Sequence, residues 1–273
     1  MQAKRILFIT QEMIPFVPSS VKADFGKNLP QAIQELNHEI RTFTPKWGII
    51  NERRNQLHEV IRLSGMNIII DETDHPLIIK VASLPQARMQ IYFIDNDDYF
   101  MKRNMAFDDK GEPYSDNGER AVFYARGVLE TVKKLRWVPD VIHCSGWISA
   151  ITPLYIKKAF DDEPAYSKCK VVYSASSPDF KMDFGKRLID CIKFKNIVDE
   201  DLTDIFNNKF GYEELQKLAV HYADAVVLDD DGVGKNVIKY AKQLNKPILE
   251  PQDKESFSKA YSDFYESLME IDN

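Results

Sequence analysis

Cysteine is scarce in this sequence, and its few cysteines are not arranged as a disulfide framework or a zinc site. The 273 residues contain three cysteines, Cys144, Cys169 and Cys191, and no two of them form a CxxC pair. An odd number of widely spaced cysteines is typical of a protein that stays in a reducing compartment. We therefore expect a cytoplasmic protein without a metal site.

Long apolar runs and an excess of positive charge are also absent. The apolar run within the N-terminal MQAKRILFIT has only about five residues, too few for a membrane span or the core of a signal peptide. The formal net charge is −6. Nucleic acids and anionic membranes attract positively charged surfaces. We therefore expect no nucleic-acid partner and no membrane partner.

Short apolar runs alternate with helical stripes in the first part of the chain. Residues 5–10 (RILFIT) form a continuous apolar run, which is typical of a strand buried on both faces of a parallel sheet. A helical stripe through Leu29, Ile33 and Leu36 follows, and residues 39–44 (EIRTFT) read as the next strand. This β-loop-α-β order predicts a single Rossmann-like, doubly wound α/β domain.

The pattern of the remaining sequence predicts an insertion, followed by further alternating strands and helices. Closely spaced extended segments over residues 57–94 predict β-hairpins inserted at an edge of the sheet. No regular element is predicted for residues 174–211. The later elements are expected to be a helix at 116–135, a strand at 141–143, a helical stretch at 147–160, a strand at 170–173, a helix at 212–222 and a strand at 225–228.

The C-terminal segment predicts a docking helix. Apolar side chains recur at helical spacing over residues 253–271, at Phe257, Tyr261, Phe264, Leu268 and Ile271. We expect this aromatic face to lie on the body of the protein. The expected organisation is therefore one domain over residues 1–250, with a helix over residues 251–273 docked on it.

Several motifs keep their order and spacing along the chain. They are ILFIT at 6–10, NHEIR at 37–41, YSDNGER at 114–120, VPDVIHCSGW at 138–147 and PLY at 153–155. Together they resemble bacterial glycogen synthases and plant starch synthases, the family 5 glycosyltransferases, over roughly residues 4–240. The resemblance implies the N-terminal half of a GT-B enzyme with two Rossmann-like domains, which would use ADP-glucose or UDP-glucose and a glucan.

Three site motifs of that family are replaced here. The family's K-T-G-G-L loop aligns with Pro18–Lys22 (PSSVK), so both glycines that let a backbone approach a phosphate are lost. The family's H-D-W aligns with Ser145-Gly146-Trp147, and a serine cannot titrate near neutral pH as a histidine does. The family's I-H-N aligns with Ser174-Ala175-Ser176. These losses predict that the chain does not transfer glucose by itself.

The surviving polar positions predict a remnant sugar or acceptor cleft. We assign no catalytic residue and no cofactor. His143 is expected more as a hydrogen-bonded structural residue than as a ligand, and Trp147 more as a core residue than as a stacking platform. Lys22 is a weak substitute for the charge of the lost lysine. The predicted remnant cleft consists of Glu12, Lys22, Asp24, His143, Ser145 and Trp147.

Two further motifs receive structural interpretations. Asp116, Asn117 and Arg120 are expected to cap the helix that starts there. Residues 232–235 (GVGK) lack the spacing of a phosphate-binding loop. Together with the aspartates at 229–231, they predict a helix start whose acidic residues complement the helix dipole.

Three functions remain open on the sequence. The first is a degenerate glycosyltransferase domain retained to bind glucan, such as glycogen or a maltooligosaccharide, a sugar nucleotide or a protein partner. The second is half of a split glucan synthase, completed by a separate chain. The third is a structural or regulatory homo-oligomer that associates through the surface a second domain would cover. By the same resemblance, residues 246–271 are expected to correspond to the terminal helix that crosses back onto the N-terminal domain in such folds, which would mean that a second domain has been excised.

Overall fold

The computed structural model describes residues 3–253 and 256–270, so Ile271 of the predicted terminal helix lies outside the described residues. Ten strands are present in this part of the chain. They are β1 (Arg5–Thr10), β2 (Glu39–Pro45), β3 (His58–Glu59), β4 (Met66–Ile70), β5 (Thr73–Leu84), β6 (Met89–Asp95), β7 (Val141–Ser145), β8 (Lys170–Ala175), β9 (Ala225–Leu228) and β10 (Ile248–Leu249).

The helices cover both faces of the sheet. A 3-10 turn lies at Pro85–Ala87, a second at Trp147–Ser149, and a π-helical turn at Tyr155–Ala159. The α-helices are α1 (Val21–Glu35), α2 (Asn117–Leu135), α3 (Thr152–Leu154), α4 (Arg187–Ile192), α5 (Glu200–Phe206), α6 (Tyr212–Tyr222), α7 (Lys235–Gln243) and α8 (Phe257–Glu270).

The strand order places a topological switch point at β1. The described sheet runs β10-β9-β8-β7-β1-β2-β6-β5-β3, with β4 paired to β5. The strands from β10 to β6 are parallel to their neighbours, whereas β5 is antiparallel to β6, β4 and β3. The predicted doubly wound sheet with hairpins at one edge is therefore confirmed. In such sheets, ligands bind outside the carboxyl ends of the strands beside the switch point.

Side-chain alternation along β1 separates the two helical layers. Ile6 and Phe8 are buried in a cluster with side chains of α1 and α8, whereas Leu7 and Ile9 are buried in the larger cluster that includes α2 and α6. Because both faces of β1 are covered, the strand needs the continuous apolar run that its sequence shows. Full burial of such a side chain contributes about 1.5–3 kcal/mol.

The terminal helix α8 docks on the sheet as predicted. Tyr261, Tyr265 and Leu268 are buried in the same cluster as Ile6 and Phe8, and Phe257 and Phe264 are partly buried against that cluster. The division of the chain into residues 1–250 and 251–273 stays a prediction. Within the described residues, no helix has the length and apolar character needed to cross a membrane.

Candidate functional site at the carboxyl ends of the strands

A cleft of about 970 Å³ opens at the carboxyl ends of four parallel strands. Its floor is formed by residues that end or follow β1, β7, β8 and β9, and its side walls come from α1 and α8. Large concave sites in this position are where open α/β sheets bind their ligands. The floor residues are Thr10, Gln11, Glu12, Ser145, Gly146, Ser176, Ser177, Leu228, Asp229 and Asp230.

Four of the six predicted cleft residues line this cleft. Glu12, Lys22, Asp24 and Ser145 are in its wall, whereas His143 and Trp147 are not. His143 and Trp147 are both buried. The indole of Trp147 packs edge-on against the ring of Phe180, with 5.3 Å between ring centroids.

The N-terminus of α1 is occupied by the protein's own polar groups. The Ser20 hydroxyl accepts a hydrogen bond from the Ala23 N–H at 2.9 Å and donates one to Oε2 of Glu12 at 3.1 Å. Burial raises the pKa of Glu12, and the hydrogen bond from Ser20 opposes that rise. A free helix N-terminus attracts anions such as phosphates. Here a serine cap and a carboxylate already fill that position.

Lys22 is held by an acidic partner from the segment that follows β8. Its Nζ forms a salt bridge with the Asp179 carboxylate and donates to the Ser177 carbonyl oxygen at 3.4 Å. Nε2 of Gln11 donates to the other Asp179 oxygen at 3.0 Å and to Oε1 of Glu12 at 3.3 Å. The charge of Lys22 is therefore largely neutralised within the cleft wall. Neither Gln11 nor Asp179 was predicted from the sequence.

Gly146 packs tightly against the side chain of Gln11. Gly146 has a φ of +83°, which L-residues rarely adopt, and an added Cβ would lie 2.4 Å from Gln11 Oε1 and 2.5 Å from Gln11 Cβ. Gln11 Oε1 also accepts the N–H of Trp147 at 3.1 Å. In the family motif H-D-W, the aspartate aligns with Gly146. An aspartate at position 146 of this protein would therefore collide with Gln11.

Gly146→Ala is expected to destabilise the fold by about 2–4 kcal/mol, from the left-handed backbone and from overpacking against Gln11. Gly65→Ala is the matched control, because Gly65 has a φ of +82° and nothing within 4 Å of an added Cβ. Gly65→Ala is expected to lower the free energy of unfolding only through the strain of a left-handed backbone, by about 1–2 kcal/mol. Urea unfolding of both variants measures the difference. Equal losses would show that the contact with Gln11 has no effect.

Asp229 places a half-buried carboxylate in the cleft floor. Burial raises the pKa of Asp229 to about 7, opposed by a hydrogen bond from Ser174 and by the charge of Lys22. Its Oδ1 is buried and has no hydrogen-bond partner among the described residues. A buried carboxylate oxygen without a partner costs stability. Asp229 is therefore a candidate to accept a hydrogen bond from a ligand.

The neighbouring aspartate has a different role from the one predicted. The Asp230 carboxylate accepts hydrogen bonds from the Ser177 N–H at 3.0 Å and the Gly232 N–H at 2.7 Å. Helix α7 begins at Lys235 and carries no acidic residue in its first turn. The prediction that the acidic run complements that helix dipole is therefore wrong. Asp230 joins the loops after β8 and β9 instead.

Asp229→Asn is expected to stabilise the protein at pH 8 by roughly 1–3 kcal/mol, because the buried negative charge is removed. The folded pKa of Asp229, about 7, lies above its ordinary value of 3.8. Wild-type protein therefore gains stability as the pH falls from 7 towards 4, and the advantage of the variant shrinks. Urea unfolding at pH 8, 6 and 4 measures this. If the difference in free energy of unfolding between the two proteins stayed constant across these pH values, the raised pKa of Asp229 would be contradicted.

His143 joins the sheet to α8. Its Nδ1 lies 2.5 Å from the Tyr265 hydroxyl oxygen, and its Nε2 lies 2.7 Å from the Ser174 hydroxyl oxygen. Burial lowers the pKa of His143 to about 3, so the ring is neutral and one nitrogen donates while the other accepts. These contacts fit the structural interpretation of His143. Whether His143 also serves a ligand stays a prediction.

The motif at the start of α2 does not cap the helix. Asp116 occupies the cap position, but its side chain makes no capping hydrogen bond. Its carboxylate accepts two hydrogen bonds from Arg103, at 2.5 and 2.7 Å. Buried Arg120 and Asn117 donate to backbone carbonyls within residues 104–106. The capping prediction is wrong because the Arg103 guanidinium competes for the carboxylate, and the motif fastens this loop to α2.

Metal ligands do not converge in the described part of the chain. Across residues 3–253 and 256–270, no group of three or more histidine, cysteine, aspartate or glutamate side chains could hold a metal ion. Cys144, Cys169 and Cys191 are buried and free. The polar side chains that line the cleft are carboxylates, amides, hydroxyls and the ammonium group of Lys22.

Known proteins match this chain in sequence and in fold. A family model described as the starch synthase catalytic domain matches residues 5–244. A glycogen synthase of Chlorobaculum tepidum is 33% identical over 242 residues, which cover 88% of this chain and 47% of that protein. A glycogen synthase of Chlorobium luteolum is 39% identical over 170 residues, covering 62% of this chain and 35% of that protein. The chain thus spans about a third to a half of the length of these relatives.

A solved structure agrees in fold. It is the catalytic domain of starch synthase IV from Arabidopsis thaliana bound to ADP and acarbose. The TM-score is 0.73 at 14% sequence identity, and the match covers 92% of this chain and 52% of that one. The likeness supports a GT-B type α/β fold for the matched part.

Proposed function

The chain belongs to the starch synthase catalytic domain family, and we propose that it is a glycogen- or starch-synthase-like domain that binds glucan but does not transfer glucose by itself. The observation that carries this proposal is the occupied N-terminus of α1. Ser20 caps the helix and Glu12 lies beside the cap. A phosphate group would have to displace a bonded hydroxyl and approach a carboxylate.

The charges of the cleft support glucan over sugar nucleotide. Its acidic lining residues are Glu12, Asp24, Glu35, Asp229 and Asp230, against Lys22 as the one basic lining residue among those described. Lys22 is already paired with Asp179. A diphosphate is repelled by such a surface. The hydroxyl groups of a neutral glucan donate hydrogen bonds, and carboxylates are strong acceptors for them.

The ligands of the solved relative define the classes to compare. That protein is described as bound to ADP and acarbose, a nucleotide and an oligosaccharide analogue. We propose that the cleft of this chain still binds an oligosaccharide but no longer binds a nucleotide. Replacement of the glycine-rich loop by residues 18–22 and of the motif at residues 145–147 is consistent with that loss.

Thermal unfolding with separate additions of maltohexaose and ADP-glucose tests the binding part. Maltohexaose is expected to raise the melting temperature in a concentration-dependent way, because a ligand that binds only the folded state stabilises it by about 2.7 kcal/mol at one hundred times its Kd. ADP-glucose at the same concentrations is expected to leave the melting temperature unchanged. Stabilisation by ADP-glucose alone, or by neither compound, would refute the proposal.

The second candidate is half of a split synthase. The match to the C. tepidum glycogen synthase covers 47% of that protein, so the rest of that protein is the half to add in a test. A separately expressed second half of that relative, mixed with this chain, tests the idea. Glucose transfer that appears only on mixing would favour the split enzyme. The homo-oligomer stays a prediction of the sequence.

A further inference from the structure

One arm of the cleft extends away from the strand ends along the outer face of α1. The α1 residues that line it are spaced three and four apart, so they share one face of the helix. Helix α1 has 15 residues, and at 1.5 Å per residue its face is roughly 20 Å long. The opposite wall contains Gln252, Phe257 and Tyr261. We call the part lined by Phe25, Asn28, Gln31, Gln252 and Phe257 the α1–α8 groove.

Aromatic rings form the apolar part of the α1–α8 groove. The Phe25 ring packs at tilted angles against Phe257, with 6.0 Å between centroids, and against Tyr261, with 5.5 Å. Phe25 and Phe257 are only half-buried, so part of each ring remains open to the groove. The face of an aromatic ring is electron-rich. It therefore attracts the C–H groups of a sugar ring, which carry partial positive charge.

Amide side chains form the polar part. Asn28 is exposed, and its side chain makes no hydrogen bond to another described residue. Gln31 donates to Oε1 of Glu35 at 2.9 Å, and Gln252 donates to the carbonyl oxygen of Glu250 at 2.8 Å. The amide oxygens of both glutamines therefore remain available as acceptors. An amide both donates and accepts hydrogen bonds, as does a sugar hydroxyl.

Resting on the proposed function, we propose that the α1–α8 groove is a subsite for an uncharged oligosaccharide chain that extends beyond the strand ends. The combination of open aromatic faces and amides matches the alternating apolar and hydroxyl surfaces of a sugar ring. A nucleotide lacks a cationic partner here, because Lys22 at the groove entrance is bonded to Asp179. An apolar peptide segment would have to bury the Asn28 amide without a partner, which costs free energy.

Chain-length dependence of binding is the specific signature of this subsite. Isothermal titration with maltose and with maltohexaose is compared for wild-type protein, the Asn28→Ala/Gln31→Ala double variant and Gln34→Ala. Gln34 is an amide on the same helix that does not line the cleft. We expect wild-type protein to bind maltohexaose at least tenfold more tightly than maltose. The double variant is expected to lose that preference, and Gln34→Ala to keep it.

A third variant tests the aromatic wall. Phe257→Ala is expected to weaken maltohexaose binding at least tenfold, and its circular dichroism spectrum and melting curve check that the protein remains folded. If the double variant keeps the preference for the longer chain, the groove is not the subsite, although glucan binding itself stands. If wild-type protein binds neither sugar, the proposed function fails and this inference fails with it. Competition by ADP for maltohexaose would place a nucleotide in the groove and also overturn the inference.

Discussion

Gly26→Ala is expected to leave the chain unfolded or barely folded at 25 °C. An added Cβ at position 26 would lie 2.1 Å from the backbone oxygen of Glu12 and 3.0 Å from Oγ1 of Thr10. The Glu12 oxygen is part of the backbone and also accepts a hydrogen bond from the Thr10 hydroxyl at 3.2 Å, so it cannot swing aside. We expect a loss of more than about 3 kcal/mol, at the upper end of overpacking costs.

The control for this prediction is Gly127→Ala in α2. There an added Cβ would meet only side-chain ends, of Leu77 at 3.0 Å and Ile94 at 3.1 Å, which can shift by a few tenths of an ångström. Helix propensity alone favours alanine over glycine by about 1 kcal/mol at both positions. Urea unfolding followed by circular dichroism compares the two variants. A Gly26→Ala protein as stable as wild type would show that α1 does not pack this closely on the loop after β1.

His143→Ala is expected to reduce the free energy of unfolding by about 3–5 kcal/mol. The substitution leaves the buried hydroxyl of Tyr265 without its partner, removes one hydrogen bond of Ser174 and opens a cavity under α8. His58→Ala is the control, because His58 is exposed on the short edge strand β3. We also expect faster amide exchange across α8 in the His143 variant alone. Equal effects of the two substitutions would contradict the anchoring role of His143.

The cost of His143→Ala also depends on pH. The folded pKa of His143, about 3, lies below the ordinary value of 6.5, so the unfolded chain binds the proton first as the pH falls. The contribution of His143 to stability is therefore complete above pH 6.5 and declines below it, by up to about 1.4 kcal/mol per pH unit. We expect the difference between wild type and variant to shrink from pH 7 to pH 5. If the difference in free energy of unfolding grew from pH 7 to pH 5, it would contradict the burial of His143 as a neutral ring.

Local patterns predicted the parallel sheet, the edge hairpins, α2, α6 and the docked terminal helix. Helices α4 and α5 were not predicted, because elements of six and seven residues do not show a full helical stripe. The extended segment expected from residue 57 is reduced to the two-residue strand β3. Its partner, β5, continues into a hairpin with β4, so only a short edge is left for pairing.

The candidate site was only partly visible in the sequence. Comparison with the family motifs predicted Glu12, Lys22 and Asp24 as cleft residues, because they lie within or beside the segments at 6–10 and 18–22 that align with those motifs. It could not find the contact between Gln11 and Asp179, because those residues are 168 positions apart and no motif contains either side chain. His143 shares a strand with Ser145, which lines the cleft, but Tyr265, 122 positions later in the chain, covers it. Burial by a distant element has no local signature.

Glucose transfer by the purified chain alone is the most direct test of whether this domain has synthase activity of its own. The chain is incubated with radiolabelled ADP-glucose, and separately with UDP-glucose, in the presence of maltohexaose, and the glycogen synthase of C. tepidum serves as the reference enzyme. We expect no incorporation above the level without protein, since Ser20 and Glu12 fill the N-terminus of α1 and Lys22 is bonded to Asp179. Incorporation of glucose into longer maltooligosaccharides by this chain alone would contradict it.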